Sequence, residues 1–484
     1  MSSSLQLTRI LATFVSQIDF KAIPIRCIEA ATTGFTDCIG VMVAGANEQA
    51  VRIVSAMAEP LQRTDAAREI PSGRLISAPD AALVNGVAAH VLDYDDVAMA
   101  AHPSAVLVPA ILAEGCALDA TGQDALTAYV AGYELWAHLD AMQPGRLHER
   151  GFHPTAILGS LAAAAACARL RGLNPEQTTH AIGIAASLAS GLVANFGSMT
   201  KSLHAGRAAQ SGVVAARLAA QGFNASPDIL EHRTGFLNAY AASGVPRIHA
   251  PIDLGTRWYL AERGIDIKQY PTCYATHRCI DAMVGITLEH GLNPDAVSSI
   301  LVHTGATQLL LLRNPAPESA LEAKFSMQFA MAAALIDRHV GLKQLTDEFV
   351  RRADVKAVEA KVRCTTTDDK MPGDELFAPE DRVSVALVSG ESLTYPSVTH
   401  AKGSWKRPLS APEFERKFLE CTADAMSPNA SSLLFDRLLH LARIASLREL
   451  QKTIATRSGQ SDRDSVHDEL VTCLPNSFSA SFLN

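Results

Sequence analysis

The stretch TAILGSLAAAAACARL, from Thr155 to Leu170, is built mainly of alanine and leucine and carries no charge until its last turn. Alanine has the highest helix propensity, and its small side chain lets neighbouring helices approach closely. Gly172-Leu173-Asn174 then stops the helix, and Pro175 suits the first turn of another. We therefore predict closely packed helices at Thr155–Leu170 and Pro175–Leu192.

Helical spacing extends on both sides of this stretch, from Leu5 to about Tyr240. Residues spaced as on the buried face of one helix are Ile28, Ala31, Thr32, Phe35, Cys38, Ile39 and Met42. Further predicted helices are Ala82–Val91, Ser104–Leu118, Asp124–Ala137 and Lys201–Ala220. The fold class is therefore mainly α.

The pattern changes after Gly264, where β-branched and alternating apolar residues predict strands. These strands are Ser298–Thr304, Ala360–Thr367, Arg382–Leu387 and Ser392–Tyr395, the last pair joined by a hairpin turn at Ser389-Gly390-Glu391. Helices are expected between them at Pro294–Val297, Met327–Leu335 and Gln344–Arg352. This region is predicted to be a smaller α+β domain.

The C-terminal region opens with Ser410-Ala-Pro-Glu413, a capping box that starts a helix. Helices continue to about Thr456 and could rejoin the N-terminal bundle. With 484 residues, the chain is too long for one ordinary core. The predicted division is a helical segment at 1–265, the α+β domain at 266–402, a second helical segment at 403–457 and a polar, loosely ordered tail at 458–484.

Composition excludes several classes of protein. The net charge is −8 with no basic stripe, which argues against nucleic acid as a partner. The nine cysteines are scattered without a CxxC pair, as expected of a reduced intracellular protein. Neither a secretory signal nor an apolar run of membrane-spanning length is evident, so a cytoplasmic location without membrane contact is predicted. The usual nucleotide, zinc-protease and hydrolase motifs are also missing, which lowers the expectation of a cofactor.

The first polar constellation runs from His90 to Asp96 and continues with His102. Carboxylates this close raise one another's pKa when buried, which suits a general base. Asp93 is the candidate, three residues after His90 and so able to share its helix face. Two other interpretations stay open: Asp95 and Asp96 could be solvated or cap a turn, or the group could bind a metal, although its spacing matches no known metal motif.

Two further constellations lie at predicted helix starts. His153 precedes the alanine-rich helix, where an anion would be favoured, although His153 and Thr155 could simply cap it. Lys201, His204 and Arg207 recur at helical spacing and could present cations to a carboxylate, or form a solvated basic turn.

The fourth constellation, from Lys268 to Arg278, lies where the helical pattern ends and the predicted α+β domain begins. Junctions between domains are favoured positions for small-molecule clefts. It contains Cys273 and His277, which could also be interpreted as a thiol nucleophile and its base. A weaker polar stretch, Lys324-Phe-Ser326, precedes an apolar helix.

Together these stretches resemble the MmgE/PrpD family over roughly residues 5 to 455. The matching pieces occur in order as Val84–Asp96, His102-Pro-Ser104, Gly151-Phe-His-Pro-Thr155, Thr200–Gly206 and Tyr270–His277. The family includes 2-methylcitrate dehydratases, cis-aconitate decarboxylases and an iminodisuccinate epimerase. The resemblance implies a large helical domain made from the N- and C-terminal segments, a smaller α+β lid, a homodimer, and no metal or organic cofactor.

The resemblance also implies that an active site between the domains is lined by Asp93, His102, His153, Lys201 and His277. The stretch around Lys201 is more similar to the decarboxylases and the epimerase than to the dehydratases. However, the decarboxylases place a threonine where this chain has Val97, and the segment before His102 is shortened. Because valine donates no hydrogen bond, a decarboxylase-type substrate contact would be missing.

We hypothesise that cations hold the carboxylates of a small di- or tricarboxylic acid while Asp93, His102 or His277 moves a proton. The candidate substrate-binding residues are His204, Arg207, Lys268, Tyr274 and Arg278, together with Lys201. The leading prediction is a cofactor-independent lyase, either a decarboxylase or a dehydratase. An epimerase of an iminodisuccinate-like acid and a non-catalytic carboxylate-binding relative are the alternatives.

Overall fold

The helical domain begins with a long series of helices. The computed structural model describes residues 6–143, 147–241, 244–248, 253–372, 374 and 376–454, so the predicted tail at 458–484 lies outside the described residues. The helices of the first segment are α1 Leu7–Gln17, α2 Ile25–Gly45, α3 Gln49–Ala56, α4 Ala78–His90, α5 Ser104–Leu118, α6 Gly122–Met142, α7 Pro154–Leu170, α8 Pro175–Leu188, α9 Met199–Ala220, α10 Phe236–Ala239 and α11 Tyr259–Arg263. A small antiparallel hairpin, β1 Ala66–Arg68 and β2 Leu75–Ser77, precedes α4.

Close contact between small residues brings α4, α7 and α9 together. A Cβ atom on Gly86 of α4 would lie 2.6 Å from the Cα atom of Gly206 on α9. Likewise, a Cβ atom on Gly212 of α9 would lie 2.3 Å from the Cβ atom of Ala163 on α7. Larger residues would force these helices apart, so the predicted close packing is confirmed.

The capping residues predict the ends of the helices better than the spacing of apolar residues does. Asn174 caps α8 in a capping box with Gln177, as its position before Pro175 predicted. The predicted extension of α8 to Leu192 is wrong, because the helix ends at Leu188 and Gly191 has a φ of +157°. Ser77 caps α4, which therefore begins four residues before the predicted start at Ala82.

The lid contains one four-stranded sheet in the order β4-β3-β5-β6. Its strands are β3 Val297–Gly305, β4 Val362–Thr367, β5 Arg382–Leu387 and β6 Ser392–Thr394. β3 pairs with β4 in parallel and with β5 antiparallel, and β5 and β6 form the predicted hairpin. The lid helices are α12 His277–His290, α13 Ala306–Leu311, α14 Ala320–Ala323, α15 Met327–Asp337, α16 Asp347–Val350 and α17 Ala353–Glu359.

One predicted lid helix is wrong in detail. The segment 344–352 is not one helix, because a 3₁₀ turn at Leu342–Gln344 ends before Thr346 starts the short α16. The Thr346 side chain accepts a hydrogen bond from Phe349 and so caps a separate turn of helix.

The C-terminal helices are α18 Ala411–Thr422, α19 Pro428–Leu439 and α20 Leu447–Ile454. Phe418, Leu434 and Leu447 belong to the same hydrophobic core as Phe35 of α2, whereas the lid has its own core around Met331. The C-terminal segment therefore packs into the N-terminal helical bundle, and the mainly α fold class is confirmed.

Among the described residues, α2 is long and apolar enough to cross a membrane by length and composition. About two-thirds of this apolar stretch is buried within the protein. It packs against α4, α18 and α19, which is the position of a central core helix.

Candidate active site

The site is built around the turn that follows α4. Asp93 has a φ of +53°, a left-handed conformation that a non-glycine residue adopts only when its surroundings hold it there. Its backbone N–H donates to the carbonyl of His90, the last residue of the helix. The chain therefore turns sharply at Asp93 and carries its carboxylate into the domain junction.

Three lysines from distant segments hold the carbonyls of this turn. Lys324 of the lid donates to the Val91 carbonyl over 2.9 Å, Lys268 donates to that of Asp93 over 2.7 Å, and Lys417 of α18 donates to that of Tyr94 over 3.0 Å. Lys417 is itself paired with Asp37 at 2.6 Å. The strained turn is thus fixed by the lid, the domain junction and the C-terminal segment together.

The carboxylate of Asp93 is shared by two buried ammonium groups. Its Oδ1 atom lies 2.5 Å from Lys201 Nζ and 3.2 Å from Lys268 Nζ. Burial alone would raise the pKa of Asp93, but Lys201 and Lys268 outweigh it and hold that pKa well below its usual range. Asp93 is therefore ionised, and the pair of cations exceeds it in charge.

Asp95 orients two imidazole rings. Its Oδ2 atom lies 2.9 Å from His90 Nδ1 and 3.0 Å from His102 Nδ1. His102 Nδ1 is also 3.0 Å from the Asp96 carbonyl, which can only accept a hydrogen bond. Both Nδ1 atoms are therefore assigned as donors, and Nε2 of His102 carries the free lone pair.

The interpretation of Asp95 and Asp96 as solvated residues is wrong, because both are fully buried. Asp96 accepts hydrogen bonds from the backbone N–H and the hydroxyl of Ser104, the first residue of α5, and so holds the loop against the start of that helix. Sequence reasoning missed the orienting role of Asp95 and His90, although their spacing of five residues lay within the quoted motif.

His102 is poised as a neutral base. Burial lowers the pKa of His102, and although Asp95 opposes this effect, Lys268 and Lys201 add to it. Its Nε2 atom lies 3.9 Å from Asp93 Oδ1. The Nε2 atom of His102 therefore lies next to the lysine–carboxylate cluster.

His153 and His204 form a second imidazole pair. Their Nδ1 atoms are 3.2 Å apart, so one ring donates and the other accepts. Burial lowers the pKa of His153 well below its usual value, and burial beside Lys201 lowers that of His204 to about 4. The His153 side chain does not cap α7, and Thr155 accepts a hydrogen bond from the backbone of His102. The capping interpretation of both residues is therefore wrong.

His277 lies at the lid side of the junction. Its Nε2 atom is 3.3 Å from the Thr272 carbonyl, and its Nδ1 atom is buried without a hydrogen-bond partner. The rings of Tyr270 and Tyr274 enclose it. Burial and the nearby Lys268 lower the pKa of His277 to about 3, so the ring is neutral. It approaches the cluster without bonding to it directly.

The structure places two predicted binding residues elsewhere. Arg207 is exposed and bonds Gln210, because two steps of three residues rotate it about 120° away from Lys201 around the helix. Arg278 is buried, but its guanidinium is bound to Asp381, Gln308 and two lid carbonyls. Neither residue presents a free cation to the cluster.

Cys273 is unsuited to the nucleophilic role that the sequence left open. Burial raises the pKa of its thiol to about 11, with Asp93 adding to the effect. The thiol is therefore protonated near neutral pH, and thiol catalysis is not supported.

A metal-binding arrangement can be drawn from His90, Asp93, Asp95 and His102, whose candidate ligand atoms lie within 4.8 Å of one another. However, Lys201 and Lys268 already contact the Asp93 carboxylate, and a divalent cation there would meet their positive charge. The two lysines therefore make this position better suited to an anion than to a metal ion.

Val97 lies on the far side of the same loop. Its backbone exchanges two hydrogen bonds with Asp266, at 2.9 and 2.8 Å. Val97 lines a cavity of about 450 Å³ together with Tyr274 and Arg278. Tyr274 therefore lies on the wall of this cavity and contacts the ring of His277, three residues along the same lid segment.

Comparison with known proteins extends these observations. The MmgE/PrpD N-terminal domain matches residues 9–248, and the MmgE/PrpD C-terminal domain matches residues 270–441. A cis-aconitate decarboxylase of Homo sapiens is 32% identical over 350 residues, covering 70% of this chain and 71% of the relative. The Mus musculus enzyme of the same name is 32% identical over 351 residues, covering 70% of each.

A more distant relative, a cis-aconitate decarboxylase of Aspergillus terreus, is 26% identical over 414 residues, or 80% of this chain and 83% of its own. These relatives confirm the prediction of an enzyme of the lyase class. Since the two domain matches cover most of the sequence, the chain belongs to the MmgE/PrpD family.

Proposed function

We propose that this enzyme is a cofactor-independent decarboxylase of a small unsaturated tricarboxylate such as cis-aconitate. The observation that carries the proposal is the ionised Asp93 between Lys201 and Lys268, beside the open Nε2 atom of His102. The relatives named as cis-aconitate decarboxylases support this substrate class.

The lysines supply the electrostatic part of catalysis. When the bond to the departing carboxylate breaks, its electron pair stays on the carbon skeleton, and negative charge spreads toward a remaining carboxylate. Fixed ammonium groups in a buried site stabilise such charge more than water does, because they need no reorganisation. Lys201 and Lys268, both buried, are placed to do this.

The proton is the second requirement, since the substrate loses carbon dioxide and gains one proton at carbon. We assign the transfer to His102, whose ring Asp95 holds in the orientation that points Nε2 at the cluster. A bound polyanion would raise the pKa of this imidazole and favour the protonated form needed for donation. His277 and the His153–His204 pair are neighbouring groups that could exchange protons with it.

The experiment uses cis-aconitate, 2-methylcitrate and iminodisuccinate in deuterated water, followed by NMR. We expect cis-aconitate to lose one carboxylate and its product to carry one deuterium at carbon. Dehydration of 2-methylcitrate would instead indicate a hydro-lyase, and deuterium exchange without net loss would indicate an epimerase. An absence of both turnover and exchange with all three acids would contradict the proposal and favour a carboxylate-binding role.

We also propose a homodimer, as the family resemblance implies. Light scattering on the purified protein tests this proposal by giving the molar mass in solution. A mass equal to that of one chain would contradict it.

A further inference from the structure

Lys324 is a buried lid residue that the proposed mechanism does not use. It follows α14, and only 4% of its surface is exposed. Its carbonyl accepts a hydrogen bond from Cys273, which fixes the backbone, while its Nζ atom crosses the junction to the Val91 carbonyl. Lys324 therefore reaches from the lid to the turn that carries Asp93.

Its pairing differs from that of the neighbouring lysines. Lys201 and Lys268 contact Asp93, and Lys417 contacts Asp37. No carboxylate in the described part of the chain forms an ion pair with Lys324 within 4 Å, and its hydrogen bond goes to a neutral carbonyl. A buried ammonium without an anion is unfavourable, so the position is suited to receive one.

The adjacent residue places Lys324 at the active site. The ring of Phe325 lies 5.3 Å from Lys201 Nζ, and that of Phe196 lies 5.4 Å away on the helical side. The lid thus covers the Lys201 ammonium with an aromatic ring at the point where the Lys324 side chain enters the junction. A ligand that touches Lys201 would lie directly beside the Lys324–Phe325 segment.

We propose that Lys324 binds a substrate carboxylate and, with Lys201 and Lys268, makes the site selective for an acid with three carboxylates. This inference rests on the proposed function and names the substrate contact made from the lid. The three ammonium groups outnumber the two ionised carboxylates of Asp93 and Asp95, so the free site carries a net positive charge that attracts an anionic substrate. A carboxylate on Lys324 would also tie the lid to the helical domain through the ligand.

Burial and the charges around Lys324 determine the pH at which its ammonium group loses its proton. Burial lowers the pKa of Lys324 to about 8; Glu48 and Asp93 oppose the shift, whereas Lys201 and Lys268 add to it. In the free enzyme, the ammonium therefore loses its proton as pH rises through about 8. Affinity for a third carboxylate should fall over the same interval.

Calorimetric binding of tricarballylate, a saturated tricarboxylate, tests this assignment independently of turnover, with glutarate as the acid that lacks the central carboxylate. We expect Lys324→Met to weaken tricarballylate binding at least tenfold and to change glutarate binding less than threefold. Lys324→Arg should retain tricarballylate binding within about threefold and abolish the loss of affinity above pH 8.

The matched control is Lys361→Met. Lys361 is also a lid lysine that donates to backbone carbonyls, those of Pro294 and Val297, but both acceptors belong to the lid. This variant should bind tricarballylate as the wild type does. Unchanged binding in Lys324→Met, or an equal loss in Lys361→Met, would overturn the inference. If the wild type binds tricarballylate through Lys324 but decarboxylates no acid, the proposed function fails while this inference stands.

Discussion

Two buried ionic clusters, one within the lid and one at the domain junction, are paired differently. In the lid, all five N–H groups of Arg278 are bound: two meet the Asp381 carboxylate, one meets Gln308 and two meet backbone carbonyls. In the candidate active site, Lys201 and Lys268 share the carboxylate of Asp93. The first cluster is complete within the protein, whereas the second, counted with Lys324 and Asp95, holds one more ammonium group than ionised carboxylates.

This difference separates a structural role from a binding role. A fully paired guanidinium can bind a ligand only by breaking existing hydrogen bonds, so Arg278 contributes to the lid rather than to catalysis. Surplus charge at Asp93 instead needs an anion, and a dicarboxylate or tricarboxylate supplies it. The type of a residue alone therefore does not identify a substrate contact. A cationic side chain is a better candidate when protein groups do not already occupy all of its hydrogen bonds and balance its charge.

The largest expected effect concerns the complete cluster. Arg278→Met should lower the free energy of unfolding by about 3–5 kcal/mol, because it leaves Asp381 buried without its cation. Denaturant titration measures this change. A variant with wild-type stability but greatly reduced activity would show that Arg278 serves the substrate, and the contrast between the clusters would be lost.

The incomplete cluster should respond in the opposite way. Lys201→Ala should lower kcat/KM about 100-fold, the scale of one lost electrostatic contact in a buried site. Its unfolding midpoint should change little, because Lys268 remains to neutralise Asp93. Steady-state kinetics with cis-aconitate checks the first expectation and thermal unfolding the second. Full activity in Lys201→Ala would show that Lys201 does not contribute to catalysis.

A smaller effect is expected from the residue that orients the histidines. Asp95→Asn should lower kcat/KM about 10- to 100-fold, since a neutral amide oxygen accepts more weakly than a carboxylate from the Nδ1 atoms of His90 and His102. Asp95 raises the pKa of His102, so its removal should shift the His102 limb of the pH–rate profile to lower pH. Asp96→Asn should leave that limb in place, because Asp96 bonds Ser104. An unshifted limb in Asp95→Asn would contradict the assignment.

The smallest effect tests where the cluster ends. Arg207→Ala should keep kcat/KM within about twofold of wild type, because this side chain is exposed and bonds Gln210. Steady-state kinetics beside Lys201→Ala provides the comparison. A loss of kcat/KM of tenfold or more would show that Arg207 does bind the substrate.

The helices were largely predictable from the sequence, because alanine-rich periodicity and capping residues act locally. α5 lies at the predicted Ser104–Leu118, and Asn174 caps α8 as expected. The errors occur where local signals compete, as at Thr346, which starts a separate short helix inside a predicted longer one.

The site was predictable only in part. The family resemblance, carried by the order of the motifs, grouped Asp93, His102 and Lys201 in one site. The role of Asp95, however, depends on the left-handed turn at Asp93, and no glycine in the sequence marks that turn. Lys417 reaches the turn from 323 residues away, a contact that no local pattern contains. The error at Arg207 came from treating a spacing of three as a full helical turn.

Release of carbon dioxide from cis-aconitate, by protein that has been dialysed against a chelator, tests the central claim most directly. We predict that the wild type releases one carbon dioxide for each cis-aconitate consumed, and that Lys201→Ala does so about 100-fold more slowly. Release only after a metal or cofactor is restored, or an equal rate in the two proteins, would contradict catalysis by the Asp93–Lys201–Lys268 cluster.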